Sequence, residues 1–395
     1  MPNDLPKLEI RAPDSRLNFS MITAVLSFCG FIIVCNVYTM IPIIEELSQF
    51  FHMSEGVTSW TTSSFTLCYA TGFLFFGPLS DRLGRWKVIV YGLGALSFVT
   101  LAISFVESIY MLILLRALQG FAAGTFAPVA LSFVFDIFPK EKRTTTIAWI
   151  STGFLTSGIM GQVISSWITR TAGWNYVFMF FSIIYFVSFL TAWKVLPKIS
   201  PETTGVPFLQ VARQMLQAVL QFNLLKGYVI AFSLFFCFVG MYASMGGYLS
   251  QHYGLTDQQI LGIRSAGMIG MLLSPLSSPL ARRLGLKKTL IMGLMVADFG
   301  LILEWGVPTL LSLVISTVVY VAGFSVVIPV MIQVVGVMGG AIRNTAVTLY
   351  TFILFMGASV GPYMIQIDSF KLVCFILAGV MALSAFLSFR LKVPE

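Results

Sequence analysis

Apolar runs of about 18 to 25 residues recur along the whole chain, and each is long enough to cross a bilayer. Backbone at that depth has no water to pair with, so each run must be helix unless strands close into a barrel. Barrel strands alternate apolar and polar residues over about ten positions. These runs do not alternate. Of the 395 residues, 57% are hydrophobic and 10% are charged, against about 25% charged in a soluble domain. The expected class is an all-α membrane protein.

Spans are expected at roughly 19–44, 58–80, 87–106, 109–135, 145–167, 175–195, 227–250, 258–280, 288–305, 309–336, 343–364 and 370–391. Twelve spans put both ends of the chain on one side, and the basic residues choose that side. Twenty of the 24 Lys and Arg residues fall in the tails and loops of one face. The other face has Arg170, Arg264 and Lys371, which places both termini in the cytoplasm. This bias accounts for the net charge of +8 without a nucleic-acid partner. The polar stretch 1–18 is read as a cytoplasmic tail, because its charges are mixed and no cleavage site follows the first apolar run. The longest connection, 197–226, separates six spans (19–196) from six (227–395). Its part "VARQMLQAVLQFNLLKG" is read as an interfacial helix or a plain linker. The five cysteines lie inside spans without CxxC spacing, as buried apolar residues rather than metal or disulfide sites.

The two sets of six spans carry a repeat. "GPLSDRLGRWKVIVYG" (77–92) matches "SPLARRLGLKKTLIMG" (278–293), and "LSQFFHMSE" (47–55) matches "LSQHYGLTD" (249–257). Pro128 pairs with Pro329, and Gly161 with Gly361, at nearly the same offset. Parallel repeats about the membrane normal imply a transporter with its site between the halves, near the midplane. Access alternates as one half rocks on the other.

"GPLSDRLGRWK" resembles motif A of the major facilitator superfamily. Gly77, Leu79, Asp81, Arg82, Gly84 and Arg85 fit, and the lysine stands one place later than usual. "RALQG" (116–120) resembles motif B. Together they point to the drug:proton antiporter branch, with Bcr/CflA-like and YnfM-like exporters. The resemblance covers essentially the full length and implies two six-helix bundles, no cofactor, a proton gradient as driving force and a bacterial inner membrane. It also implies that Asp81 latches the cytoplasmic ends of the halves near the start of span 11, favouring the outward-open state. Asp136 is a partner for Arg82 or Arg85. The exporter motif of span 5 departs from the family pattern. Gly158 and Gly161 fit, but Gln162 replaces the proline, and Gly361–Pro362 stands instead in span 11. These small residues and prolines serve helix packing and bending.

Arg116 is the one basic residue that topology does not explain. An arginine at membrane depth costs about 3 kcal/mol on insertion scales. It either snorkels, bonds to carbonyls of span 1, or faces a cavity as an anion-binding or proton-modulating group. Gln119 lies one turn along. Asn36 and Tyr38 occupy span 1 where many such exporters carry an acid, and Tyr69 and Tyr242 lie deep on spans 2 and 7. Asp298 is the one acid well inside a span, whereas Glu45, Asp136 and Glu304 are read as lying near helix ends. Without a cavity acid, the favoured substrate is a small neutral, zwitterionic or anionic molecule. A monomer is expected. Proton-coupled export is the leading reading, with nutrient import or translocation of a lipid or lipid-linked glycan as alternatives. No nucleophile–His–acid set, metal cluster or Walker motif argues for an enzyme or an ATP-driven pump.

Overall fold

Asn18 opens the first helix, its Oδ1 accepting the N–H of Met21 at 3.1 Å. The computed structural model describes residues 18–198, 208–306, 309–367 and 369–393. Most of the expected tail (1–17) and part of the connection (199–207) lie outside the described residues. The elements are helices, with no strand among the described residues. In the first half they are α1 (Phe19–Tyr38), α2 (Ile44–Phe50), α3 (Glu55–Leu83), α4 (Arg85–Ile103), α5 (Ile109–Ala123), α6 (Ala127–Ile137), α7 (Lys140–Ala172) and α8 (Trp174–Val195). After the connection come α9 (Phe208–Leu220), α10 (Phe222–Tyr253), α11 (Asp257–Met271), α12 (Ser277–Leu284), α13 (Leu286–Gly306), α14 (Leu310–Met338), α15 (Arg343–Val360) and α16 (Phe370–Phe389).

Ten stretches among the described residues are long and apolar enough to cross a membrane, from Phe19–Ile43 to Phe370–Phe389. Helices α3 and α13 are outside that set, although both reach spanning length. The first half of α3 is rich in Ser and Thr, and α13 carries Asp298 and Glu304. Local chemistry also breaks helices that hydrophobicity alone reads as continuous. The stretch expected at 109–135 is two helices, α5 and α6, because Pro128 in the first turn of α6 has no N–H to donate. The stretch expected at 258–280 divides into α11, a 3₁₀ turn at Ser274–Leu276 and α12, with Pro275 opening the turn. Helix α10 starts at Phe222, before the expected 227.

The repeat reappears in three dimensions. Gly84 (φ 90°) and Gly285 (φ 84°) both make the turn between consecutive helices in a conformation that side chains with a Cβ resist. Gly161 brings α7 onto α1, where a Cβ would stand 3.0 Å from the Cα of Cys35. Gly361, just past α15, lies against α10, where a Cβ would stand 2.9 Å from the backbone N of Gly240. Small residues thus let backbones approach in both halves. The closest helix pairs stay within one half: α1 with α7, α3 with α5 and α4 with α8, then α10 with α15 and α13 with α14 and α16. Between halves, α3 meets α15, and α7 meets α14.

Candidate functional site

Arg116 is fully buried on α5. Its Nε donates to the Thr61 carbonyl (3.2 Å), and its Nη1 donates to Asn36 Oδ1 (2.8 Å) and Gln119 Oε1 (2.6 Å). Nη2 donates to the Asn36 carbonyl at 3.3 Å. These four bonds use four of the five guanidinium N–H groups. The Phe65 ring covers the guanidinium carbon, 4.2 Å from its centroid. The neighbours are fixed in turn. Gln119 Nε2 donates to Thr100 Oγ1 on α4 (2.8 Å), Asn36 Nδ2 to the Tyr185 hydroxyl on α8 (3.0 Å), and that hydroxyl to the Ile32 carbonyl (3.1 Å). One charged side chain therefore ties α1, α3, α4, α5 and α8 together through neutral acceptors. The sequence brought Arg116, Gln119 and Asn36 forward as separate candidates, and the fold makes them one network.

The tyrosines lie elsewhere. Tyr69 is fully buried, its ring against Phe73 (4.4 Å) and, across the boundary between halves, Phe355 (5.4 Å). From Phe355 the rings continue through Phe235, Phe324 and Phe238 to Tyr242. The hydroxyls of Tyr69 and Tyr242 are buried with no hydrogen-bond partner among the described residues. Tyr38, half-buried at the end of α1, faces Gly158, where a Cβ would stand 3.6 Å from its ring. Gln162 donates to the Gly158 carbonyl of its own helix at 2.7 Å. Asp298 is half-buried, and its Oδ1 has no hydrogen-bond partner among the described residues. Pro362 lies in the 3₁₀ turn after α15, and its side chain is outside what the structure describes.

At the end with the basic loops, the halves are bonded together. Arg85, 8% exposed, pairs with Asp81 at 3.0 Å and with Asp136 at 2.5 Å. Asn344 Nδ2, at the start of α15, donates to Asp81 Oδ1 at 3.2 Å. Arg82 is exposed at the surface beside them. On the far side of this end, the hydroxyls of Thr145 (α7) and Ser278 (α12) are 2.5 Å apart, and Ser274 Oγ donates to the Ala148 carbonyl at 3.2 Å. Between Asp81 and the aromatic rings, Gly77 lies directly under Thr348, and a Cβ there would collide with its side chain. Gly77→Val is therefore expected to wedge α3 from α15 without disturbing either half. In cysteine-accessibility labelling from the basic-loop side, Thr348→Cys should react several-fold faster in this background. Equal rates would show that the contact does not hold the halves.

Glu304 lies near a helix end, as expected, but is buried there. It is on the last turns of α13 but only 3% exposed. Its Oε1 accepts from Thr317 Oγ1 at 2.9 Å, and its Oε2 lies 3.8 Å from Cys374 Sγ. Thr317 is the residue that the repeat matches to Arg116. The first half thus buries Arg116 on α5, and the second buries Glu304 on α13, bonded to Thr317 on the helix that matches α5. The sequence hid Glu304 because Trp305 and Gly306 mark a helix end. Asn344 was hidden because nothing distinguishes it from any polar residue opening a helix.

The family model of the Major Facilitator Superfamily matches residues 26–362. The chain belongs to this superfamily. It is a multi-pass membrane transporter and not an enzyme. The YceJ MFS-type transporter of Bacillus subtilis is 26% identical over 84% of this chain and 85% of its own length. The inner membrane transport protein YnfM of Escherichia coli is 26% identical over 72% of this chain and 70% of its own. Multidrug resistance protein 3 of Bacillus subtilis is 30% identical over 30% of this chain and 23% of its own. Within this superfamily fold, the Asp81–Asn344 bond joins the motif A loop to the opposite half of the transporter.

Proposed function

We propose that the chain is a proton-coupled exporter of small organic molecules, working by alternating access between two six-helix bundles, twelve spans in all. It acts in a bacterial inner membrane with both termini in the cytoplasm. The observation that carries this reading is the set of bonds between the halves at the basic-loop end: Asp81 to Asn344, Thr145 to Ser278 and Ser274 to Ala148. With the basic loops in the cytoplasm, this is an outward-facing or closed state, and rocking the halves requires these bonds to break. The name of the YnfM relative, an inner membrane transport protein, supports transport.

Substrate is held between the halves, against the aromatic rings around Phe355. The unpartnered hydroxyls of Tyr69 and Tyr242 are donors for a bound molecule's polar atoms. Arg116 spends four of its five N–H groups on neutral acceptors within its own half, so it supports the bundle rather than receiving an anion in this state. The substrate that fits is neutral or zwitterionic and partly aromatic.

Everted vesicles with an imposed pH gradient, acid inside, test the direction. A panel of neutral aromatics, carboxylates and cationic dyes should show accumulation of neutral or zwitterionic members, collapsing with the gradient. Accumulation driven only by the opposite gradient would replace export with import. Robust transport of permanent cations alone would overturn the substrate class.

A further inference from the structure

We propose that Glu304 is a proton-exchanging carboxyl of the transport cycle, with Thr317 as its switching partner. The assignment rests on the reading of the chain as proton-coupled. It stands on the hydrogen-bond geometry around a single hydroxyl. Thr317 Oγ1 is 2.9 Å from Glu304 Oε1 and 2.8 Å from the Leu313 carbonyl one turn back on α14. A threonine has one hydroxyl proton, so it can donate to only one of these two acceptors at a time.

Each protonation state of Glu304 satisfies this geometry in its own way. When the carboxyl holds its proton, it donates to Thr317 Oγ1, and the threonine donates to Leu313. When the proton leaves to water, the threonine hydrogen swings to the carboxylate. The Leu313 carbonyl then keeps only its helix partner. No bond other than the carboxyl O–H breaks, and the proton is conserved. The Cys374 thiol, 3.8 Å from Oε2, is a weak second donor to the charged form.

The surroundings fit exchange rather than permanent charge. Both oxygens face neutral donors, and a buried carboxylate so placed is costly to keep ionised. The groups that face it from packed elements are Thr317 and Tyr320 on α14, Cys374 on α16 and Tyr242 on α10. The Arg264 guanidinium on α11 bonds to the Tyr242 carbonyl at 2.7 Å, linking the same region to a cation that has interactions of its own. The Tyr242 and Tyr320 hydroxyls are buried without hydrogen-bond partners among the described residues. They give an incoming water its acceptors and donors between Glu304 and the aromatic rings. Asp298, two turns earlier on α13, has no such built partner.

The test needs no substrate. Infrared difference spectra of the purified full chain in nanodiscs, titrated from acid to alkaline pH, read the C=O stretch of protonated carboxyls. The wild type should lose a band as pH rises, and Glu304→Gln, checked for an unchanged melting temperature, should lack it throughout. Thr317→Val removes a donor to the ionised form and should move that band's midpoint to higher pH by about one unit, roughly tenfold in proton affinity. This second variant keeps native Glu304 and reads the same interaction if Glu304→Gln does not fold. The same titrating band in Glu304→Gln, or an unmoved midpoint in Thr317→Val, would overturn the assignment. So would a Glu304 band that never titrates. If the band fails these criteria while pH-driven transport persists in vesicles, another group carries the proton and the export reading stands. If it titrates and no gradient drives transport, the coupling reading fails instead.

Discussion

Asp81→Asn is expected to lower transport at least tenfold while the protein still inserts and folds. Asp81 accepts from Arg85 at 3.0 Å within its own half and from Asn344 at 3.2 Å across to the other. Asparagine keeps the shape and loses the charge, so two charge-assisted bonds weaken together. The ion pair is partly exposed and contributes little to overall stability. Its importance lies in which conformation it favours. A loss of about 1.4 kcal/mol from the closed basic-loop end shifts that equilibrium tenfold. The check is initial rate in everted vesicles at matched protein level, alongside a melting curve. Wild-type rates would remove the latch from the mechanism. A lowered melting temperature with normal specific rates would make Asp81 structural only.

Arg116→Ala is expected to act in the opposite way, on the fold before function. It leaves Gln119 Oε1 without its donor and removes one donor each from Asn36 Oδ1, which keeps the Thr39 hydroxyl at 3.3 Å, and from the Thr61 carbonyl inside α3. One buried acceptor left unsatisfied costs about 1–3 kcal/mol, and losing the other charge-assisted bonds adds to it. Thermal unfolding in detergent should show a clear drop for Arg116→Ala. Arg116→Lys should give a partial drop, because an ammonium cannot fork to Asn36 and Gln119 together with Thr61. A variant with normal stability but weakened binding of carboxylate substrates would instead return Arg116 to the substrate.

The helical character of the chain is legible in the sequence because lipid makes helices obligatory. Motif A is equally legible. Asp81, Gly84 and Arg85 lie in one short segment, so the turn at Gly84 and the Asp81–Arg85 pair are local contacts that the motif announces. The network around Arg116 is only half legible. Its polar members are visible as oddities in apolar runs, but Thr61 contributes a backbone carbonyl, which no residue type announces. Glu304 shows the limit most clearly. Proximity to a helix end normally means solvent, and here packing by α14 and α16 closes over it instead. The helix breaks just before Pro128 and around Pro275 were legible as prolines, but hydropathy averages over them.

The central claim is that the halves move apart at the basic-loop end when the latch is released. Spin labels at Leu83→Cys and Leu284→Cys report it most directly. Both positions are exposed, at 48% and 42%, and they end α3 and α12 in opposite halves. Pulsed dipolar measurements, with Cys68 replaced by serine, should give one dominant short distance in the otherwise native chain. Adding Asp81→Asn should populate a second, longer distance. A single unchanged distance in both would contradict the account.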